Sequence, residues 1–364
     1  MTEPLSRLRA LVAATETPAG AMRLRIGLAL AGFLVWSTFA ALHAQVKPAD
    51  FYVFWAAARH TGAPYDPAMI AALEAQMHVQ GAWPFVYPPT FLLLAWTFGQ
   101  LPLAAAFPLW TGLSAAAFYF ASTYVARPAV ATALLFIASP VVLAISPGQT
   151  SLFVGAAAMG GFVLLKRRPA LAGALFAVAA CIKPQAMILA PVVLWGHWRA
   201  MRWALVAGLA LVLASFVFGP ARWLEWGLAI GDFHHAVAPA TERVNPSALI
   251  ASPWWTAALA LLGLWIAATQ RDMAGLVAGA LCLTPYAHQY DLAPLAPLAL
   301  AWLFGWRETG FGRAAAGAAL LAGMVSTPLA GLGFLVVLAL AGTPWRRWRG
   351  EKAPPPVLRP SYEA

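Results

Sequence analysis

Apolar runs recur along almost the whole chain, and short clusters of arginine or lysine separate them. The first run, residues 24–44, is long enough to cross a bilayer. Of the 364 residues 62% are hydrophobic and only 10% charged, where soluble domains carry roughly a quarter charged. A water-soluble domain is therefore excluded, and the number of runs excludes a single-span receptor. Segments of about ten residues alternating apolar with polar, the mark of an outer-membrane barrel, are absent. The expected fold class is all-α, a polytopic membrane protein.

The net charge of +10 would suit a nucleic-acid partner, but its distribution argues otherwise. The arginines lie between apolar runs, as in cytoplasmic loops under the positive-inside rule, and Trp195, Trp198, Trp203, Trp302, Trp306, Trp345 and Trp348 flank those runs as interfacial belts do. No nucleic acid is expected as a partner. The two cysteines, Cys181 and Cys282, sit far apart in apolar runs and give neither a disulfide framework nor a metal site. The first run exceeds the 7–15 residues or so of a signal-peptide core, and Leu42-His43-Ala44 is a poor cleavage site, so it reads as a retained anchor.

With Arg7, Arg9, Arg23 and Arg25 in the cytoplasm, the first helix exits to the outer side. Further basic clusters stand at Lys166-Arg167-Arg168, Arg199 and Arg202, Arg271, Arg307 and Arg313, and Arg346, Arg347 and Arg349. Between successive clusters the apolar spans come in pairs, broken at Lys183-Pro184, by a loop at 220–252, at Tyr286 to Asp291 and at Ser326-Thr-Pro328. Upstream, Arg127 and Lys166 bracket two spans that meet at SPGQT, 146–150. Residues 88–101 are short for a crossing and read as a re-entrant or surface half-helix opened by Tyr87-Pro88-Pro89. The sum is about twelve transmembrane helices in one domain, 1–345, with both termini cytoplasmic. A first extracytoplasmic loop, 44–87, carries juxtamembrane helices, 220–252 forms a second outer loop, and 346–364 is a Pro-rich cytoplasmic tail.

This topology sends Asp50, Tyr87, Gln149, Lys183, His234, His235, His288 and Asp291 to one face, the outer one. Polar groups at membrane depth are costly and usually functional. Each has a plainer reading. Asp50 opens an alanine-rich segment as an N-cap does, and Asp66-Pro67 reads as a cap with proline at the first helical position. Lys183 either snorkels to the interface or meets an anion. Pro147 and Gly148 fit a turn, which does not explain Gln149, a neutral group that both donates and accepts. His288, Tyr290 and Asp291 fall together in YAHQYD. Zinc on His234, His235 and His288 lacks HExxH or CxxC spacing, and no metal is expected.

Taken in order, Asp50-Phe-Tyr52 with Ala56-Ala-Ala, Gly62, Tyr65-Asp-Pro67, Phe85-Val-Tyr87-Pro-Pro89, Pro147-Gly-Gln149, Gly173 and Ile182-Lys183-Pro184 resemble glycosyltransferase family 87, over roughly residues 24–300. That family comprises mannosyltransferase-like membrane enzymes of the C-type fold. The resemblance implies transfer of a hexose, mannose by family habit, from a polyprenyl-phosphate sugar to a lipid or glycan acceptor, with inversion. It places the reaction on the outer face of a bacterial plasma (inner) membrane and needs no cofactor beyond the donor itself. Asp50 would be the general base, Lys183 and His288 would hold the donor phosphate, and Tyr87 and Gln149 would line the site. Tyr52, His234, His235, Tyr290 and Asp291 join them as candidate substrate-binding residues. Many C-type enzymes carry two acids in the first outer loop; here Asp66 is the weaker second candidate.

Three other readings compete. A lipid-linked sugar flippase needs a continuous polar path, and a transporter puts its polar groups near the midplane on related halves. A structural membrane protein has no reason to gather Asp, His, Lys and Gln on one side. A polymer ligase would carry a large arginine-rich outer loop, whereas 220–252 holds only Arg222 and Arg243.

Overall fold

The computed structural model describes residues 18–43, 49–76, 84–126, 134–237, 244–284 and 286–342. The expected tail, the N-terminal arginines Arg7 and Arg9, and the cluster at Arg346, Arg347 and Arg349 lie outside the described residues. Within them the chain forms helices and turns and no strand. The longer helices are α1 (Pro18–His43), α2 (Ala49–Arg59), α3 (Pro67–Gln76), α4 (Pro89–Gly99), α5 (Leu103–Ser122), α6 (Ser139–Ile145), α7 (Ser151–Leu164) and α8 (Pro169–Ile182). There follow α9 (Trp198–Ser215), α10 (Ala221–Val237), α11 (Pro253–Gln270), α12 (Met273–Leu283), α13 (Ala296–Phe304), α14 (Phe311–Leu321) and α15 (Pro328–Gly342).

Proline sets most of the boundaries. α4, α8, α11 and α13 have proline in the first helical turn, where its missing N–H would have no partner in any case. α8 stops at Lys183 because Pro184 forces the preceding residue out of the helical region, to φ −142° and ψ 81°. One carbonyl freed there, that of Cys181, accepts from Thr90 Oγ1 at 2.7 Å, which ties α4 to the end of α8.

Among the described residues three helices are long and apolar enough to cross a membrane by length and composition, in residues 19–42, 103–122 and 198–218. Most of the other apolar helices run for 10–17 residues. The expected paired spans are thus partly built from shorter pieces broken at proline, and helix length does not give a count of twelve. The 88–101 segment is one such piece, the 11-residue α4, packed against α2. The 220–252 loop differs from expectation more clearly, because half of it is the 17-residue helix α10.

α1 packs on α5, α7 and α9 on α8, and α11 on α12. Small residues allow the close approaches. A Cβ placed on Gly173 would stand 2.3 Å from the Ala200 carbonyl oxygen of α9. Leu205, Leu209 and Leu213, four residues apart on α9, are exposed, as are Leu30, Leu34 and Leu42 on α1. Stripes of this kind are what a bilayer covers.

Gly173→Ala separates α8 from α9. Overpacking of this sort costs about 1–3 kcal/mol, more than the roughly 1 kcal/mol of helix propensity that alanine gains. Gly208→Ala, whose new Cβ would lie 4.0 Å from its nearest neighbour, keeps the propensity gain. Thermal melts in detergent should show a lowered midpoint for the first and an unchanged or raised one for the second.

Candidate active site

Asp50 lies in the first turn of α2, where unpaired N–H groups favour an acid. The rest of that turn is fixed from outside. The Phe51 backbone N–H donates to the Pro147 carbonyl at 2.9 Å, and Trp110, fully buried, donates its indole N–H to the Gly148 carbonyl at 2.8 Å. Gly148 has φ +77°, and a Cβ there would come within 2.6 Å of the Phe51 Cβ. Only glycine fits both the conformation and the contact. The turn thereby sets Gln149 against Asp50, whose carboxylate it hydrogen-bonds. The Gln149 Oε1 accepts from the Tyr87 hydroxyl at 3.3 Å, which leaves the amide NH₂ as the donor to the acid. Thr150 Oγ1 lies 3.2 Å from the same hydroxyl. The Tyr87 ring is clasped by Phe54 and Phe91, with centroids 4.8 and 4.6 Å away.

The positive charge arrives from the break after α8. Lys183 Nζ forms an ion pair with Asp291 Oδ1, the two side chains being only 11% and 14% exposed, and lies 5.4 Å from the Tyr290 ring centroid. Asp291 is held on every side. Its Oδ1 also accepts from Ser151 Oγ at 3.4 Å, and its Oδ2 accepts from the His288 backbone N–H at 3.0 Å. The His288 ring nitrogen meets the Tyr286 hydroxyl, and the ring lies 5.0 Å from that of Tyr290.

Asp50, Tyr87, Gln149, Lys183 and Tyr290 line one cavity of about 80 Å³, together with Tyr286, Gln185 and Phe233. That is room for several water-sized groups, at about 10–15 Å³ each. Burial lifts the Asp50 carboxyl above the ordinary aspartate value, against the Gln149 hydrogen bond and the charges of Lys183 and His288, which lower it. Burial also pushes the Tyr286 phenol up to about 12, so it stays protonated at neutral pH. A second, smaller and mostly apolar cavity of about 40 Å³ adjoins the first, sharing Lys183, Gln185 and Tyr286 and bounded by Asp291 and by Met273, Val277 and Leu281 of α12.

The sequence profile of glycosyltransferase family 87 matches residues 85–287, more than half of the chain. The chain belongs to this family. It is a membrane glycosyltransferase. No curated relative and no solved structure matches it. The matched span contains Tyr87, Gln149 and Lys183, while Asp50, Tyr290 and Asp291 lie outside it and reach the same cavity or its ion pair through the fold.

Other candidates from the sequence fall differently. His288 is not on the cavity wall but touches Tyr286 and Tyr290, which are. Tyr52 is buried in the core and stacks near Trp55 rather than lining the cavity. His234 and His235 belong to α10, and their side chains lie outside the described residues; Phe233 beside them lines the cavity. Asp66 caps α3, its Oδ1 accepting from the Ala68 N–H at 2.9 Å, as PYDP implied. Tyr286 and Gln185 were not singled out from the sequence. Each stands within three residues of a residue that was.

Removing one partner of a buried ion pair costs roughly 3–5 kcal/mol, whereas replacing both with apolar groups is often neutral. Asp291→Ala should therefore lower unfolding stability by roughly 3 kcal/mol, and Lys183→Met/Asp291→Leu should recover most of the loss. A double-mutant cycle in detergent measures this, and additive losses would show that the two do not act as a pair.

Proposed function

We propose that this family member transfers a hexose, mannose by family analogy, from a polyprenyl-phosphate sugar to a hydroxyl of a lipid or glycan acceptor. Asp50 is the general base and the anomeric configuration inverts. The observation that carries this reading is the unequal state of the two acids. Asp291 is paired with Lys183 and accepts from Ser151 and the His288 backbone. Among the described residues Asp50 holds one neutral hydrogen-bond partner, Gln149, and burial lifts its carboxyl above the ordinary aspartate value, which makes the carboxylate a better base.

The acceptor O–H gives its proton to the Asp50 carboxylate as the oxygen forms its bond to the anomeric carbon. The bond from that carbon to the phosphate oxygen breaks on the opposite side, and polyprenyl phosphate leaves with the electron pair. Lys183 stabilises the charge where it develops. The phosphate shares the ammonium with Asp291 or takes it over, and His288 holds the Tyr286 hydroxyl on the cavity wall. Tyr87 and Gln149 fix the Asp50 carboxylate. The apolar cavity beyond Lys183 suits the first part of the lipid. Both termini stand in the cytoplasm and the cavity faces the outer side of the plasma membrane, the arrangement that the basic clusters favour.

With purified protein and a polyprenyl-phosphate mannose, Asp50→Asn should cut turnover by about 10²–10⁴, the usual worth of a positioned base. Near-wild-type turnover at normal expression would refute the assignment. Only the ionised carboxylate accepts the proton, so kcat/KM should fall as pH drops, with a midpoint above the ordinary aspartate value of 3.8. That limb should vanish in Asp50→Asn. Lys183→Ala should raise the donor KM more than the acceptor KM.

A further inference from the structure

The largest of the described cavities near the site is not the one that holds Asp50. A space of about 610 Å³ lies between the α2–α3 connection and α10, within the size range of small-molecule sites. It adjoins the reaction cavity across a shared wall, since Pro84 and Phe233 line both. The wall is held by two hydrogen bonds. Tyr65, on the large cavity, donates its hydroxyl to the Tyr87 carbonyl at 2.8 Å, and Trp226 of α10 donates its indole N–H to the Val86 carbonyl at 3.0 Å.

The charged lining is one-sided. Among the described residues Asp66, Glu225 and Asp232 face the cavity with a single cation, Arg222, which is already paired with Glu225. A phosphate or carboxylate entering here meets net negative charge, while a hydroxyl-rich group finds carboxylate acceptors for its O–H donors. The same helix leaves Leu224 and Leu228 exposed, and Leu228 also lines the cavity. The opening therefore has an apolar margin.

We propose that this cavity is the acceptor site and that it takes a polyhydroxylated sugar headgroup bearing no net negative charge. This rests on the transferase reading above and adds the substrate class and its place. The donor and acceptor enter the reaction centre from different sides: the phosphate from the Lys183 side, the hydroxyl past Pro84 and Phe233 toward Asp50. Separating them electrostatically keeps the anionic donor out of the acceptor cavity.

Binding without donor tests the site independently of the reaction. The full chain in nanodiscs is probed by saturation-transfer NMR with methyl α-D-mannopyranoside, with a neutral diacylglycerol-linked mannoside, and with mannose 6-phosphate. The neutral probes should bind and the phosphate should not. The lipid-linked probe binding better than the free one identifies a membrane acceptor, and the reverse identifies a soluble glycan. Ala229→Trp, which projects a large ring into the cavity beside Glu225 and Asp232, should weaken the neutral probes at least about tenfold, the loss expected when hydrogen bonds to charged groups are broken. Asp232→Lys, at an exposed position that folding tolerates, should weaken them and admit mannose 6-phosphate. Unchanged binding of the neutral probes in both variants, or preference of the wild type for mannose 6-phosphate, overturns the proposal. If the neutral probes bind as expected but no polyprenyl-phosphate sugar supports transfer, the proposed donor fails and the sugar site stands.

Discussion

The site depends on a left-handed glycine in a buried turn. Gly148 turns its carbonyl to the Trp110 indole, and the neighbouring Pro147 carbonyl takes the Phe51 N–H. Buried backbone groups need such partners, because each one left unpaired costs free energy on the scale of a lost hydrogen bond. Here the partners come from two other helices, so satisfying the turn also docks α2 and α5 onto it. Packing reinforces the grip, with the Trp110 ring 5.4 Å from that of Phe51 and 4.8 Å from that of Phe153. The position of Gln149, and through it that of Asp50, follows from interactions that contain no catalytic group.

Charge supplies the second constraint. A lysine held at 11% exposure among apolar helices needs a counter-charge, and Asp291 provides it. Asp291 is in turn held in place by its other donors, Ser151 and the His288 backbone N–H. Of the two acids near Lys183, Asp50 is the one without an ion pair among the described residues. The ion pair depends on Pro184, since a helix continuing through that position would have kept Lys183 in helical conformation instead of at the broken end of α8.

Much of this was readable in the chain before the fold was known. Proline and glycine carry local instructions that tertiary packing rarely overrides, so the break at Lys183-Pro184, the turn at Pro147-Gly148, the short helix after Pro88 and the cap at Asp66 all stand where the sequence put them. Grouping polar residues by the side to which their loops exit brought Asp50, Tyr87, Gln149 and Lys183 together from distant segments. Periodicity helped less. Helices buried in protein on one side and covered by lipid on the other are apolar all round, so they lack the polar stripe that marks a boundary in a soluble protein. That is why the number of crossings could not be read from run length. α10 was hidden for a different reason: glycines at 227 and 231 and a mixture of charges and aromatics give ARWLEWGLAIGDFHH the texture of a loop. Tyr286 carried no signal of its own, since a tyrosine beside a histidine is as common at a membrane interface as in a site.

Reading α10 as a helix changes what the second outer segment does. A loop would have contributed isolated side chains, but a helix presents two sets at fixed spacing. Arg222, Glu225, Ala229 and Asp232 face one cavity, Phe233 lines both, and Leu224 stands exposed. Trp226 pins this array to the Val86 carbonyl, one residue from the tyrosine that orients Gln149. The element that shapes the larger cavity and the chain that positions Asp50 are therefore one connected structure. Movement of α10 on ligand entry would be felt first at residues 84–87, and a strained or shifted Tyr87 would reach Asp50 through Gln149.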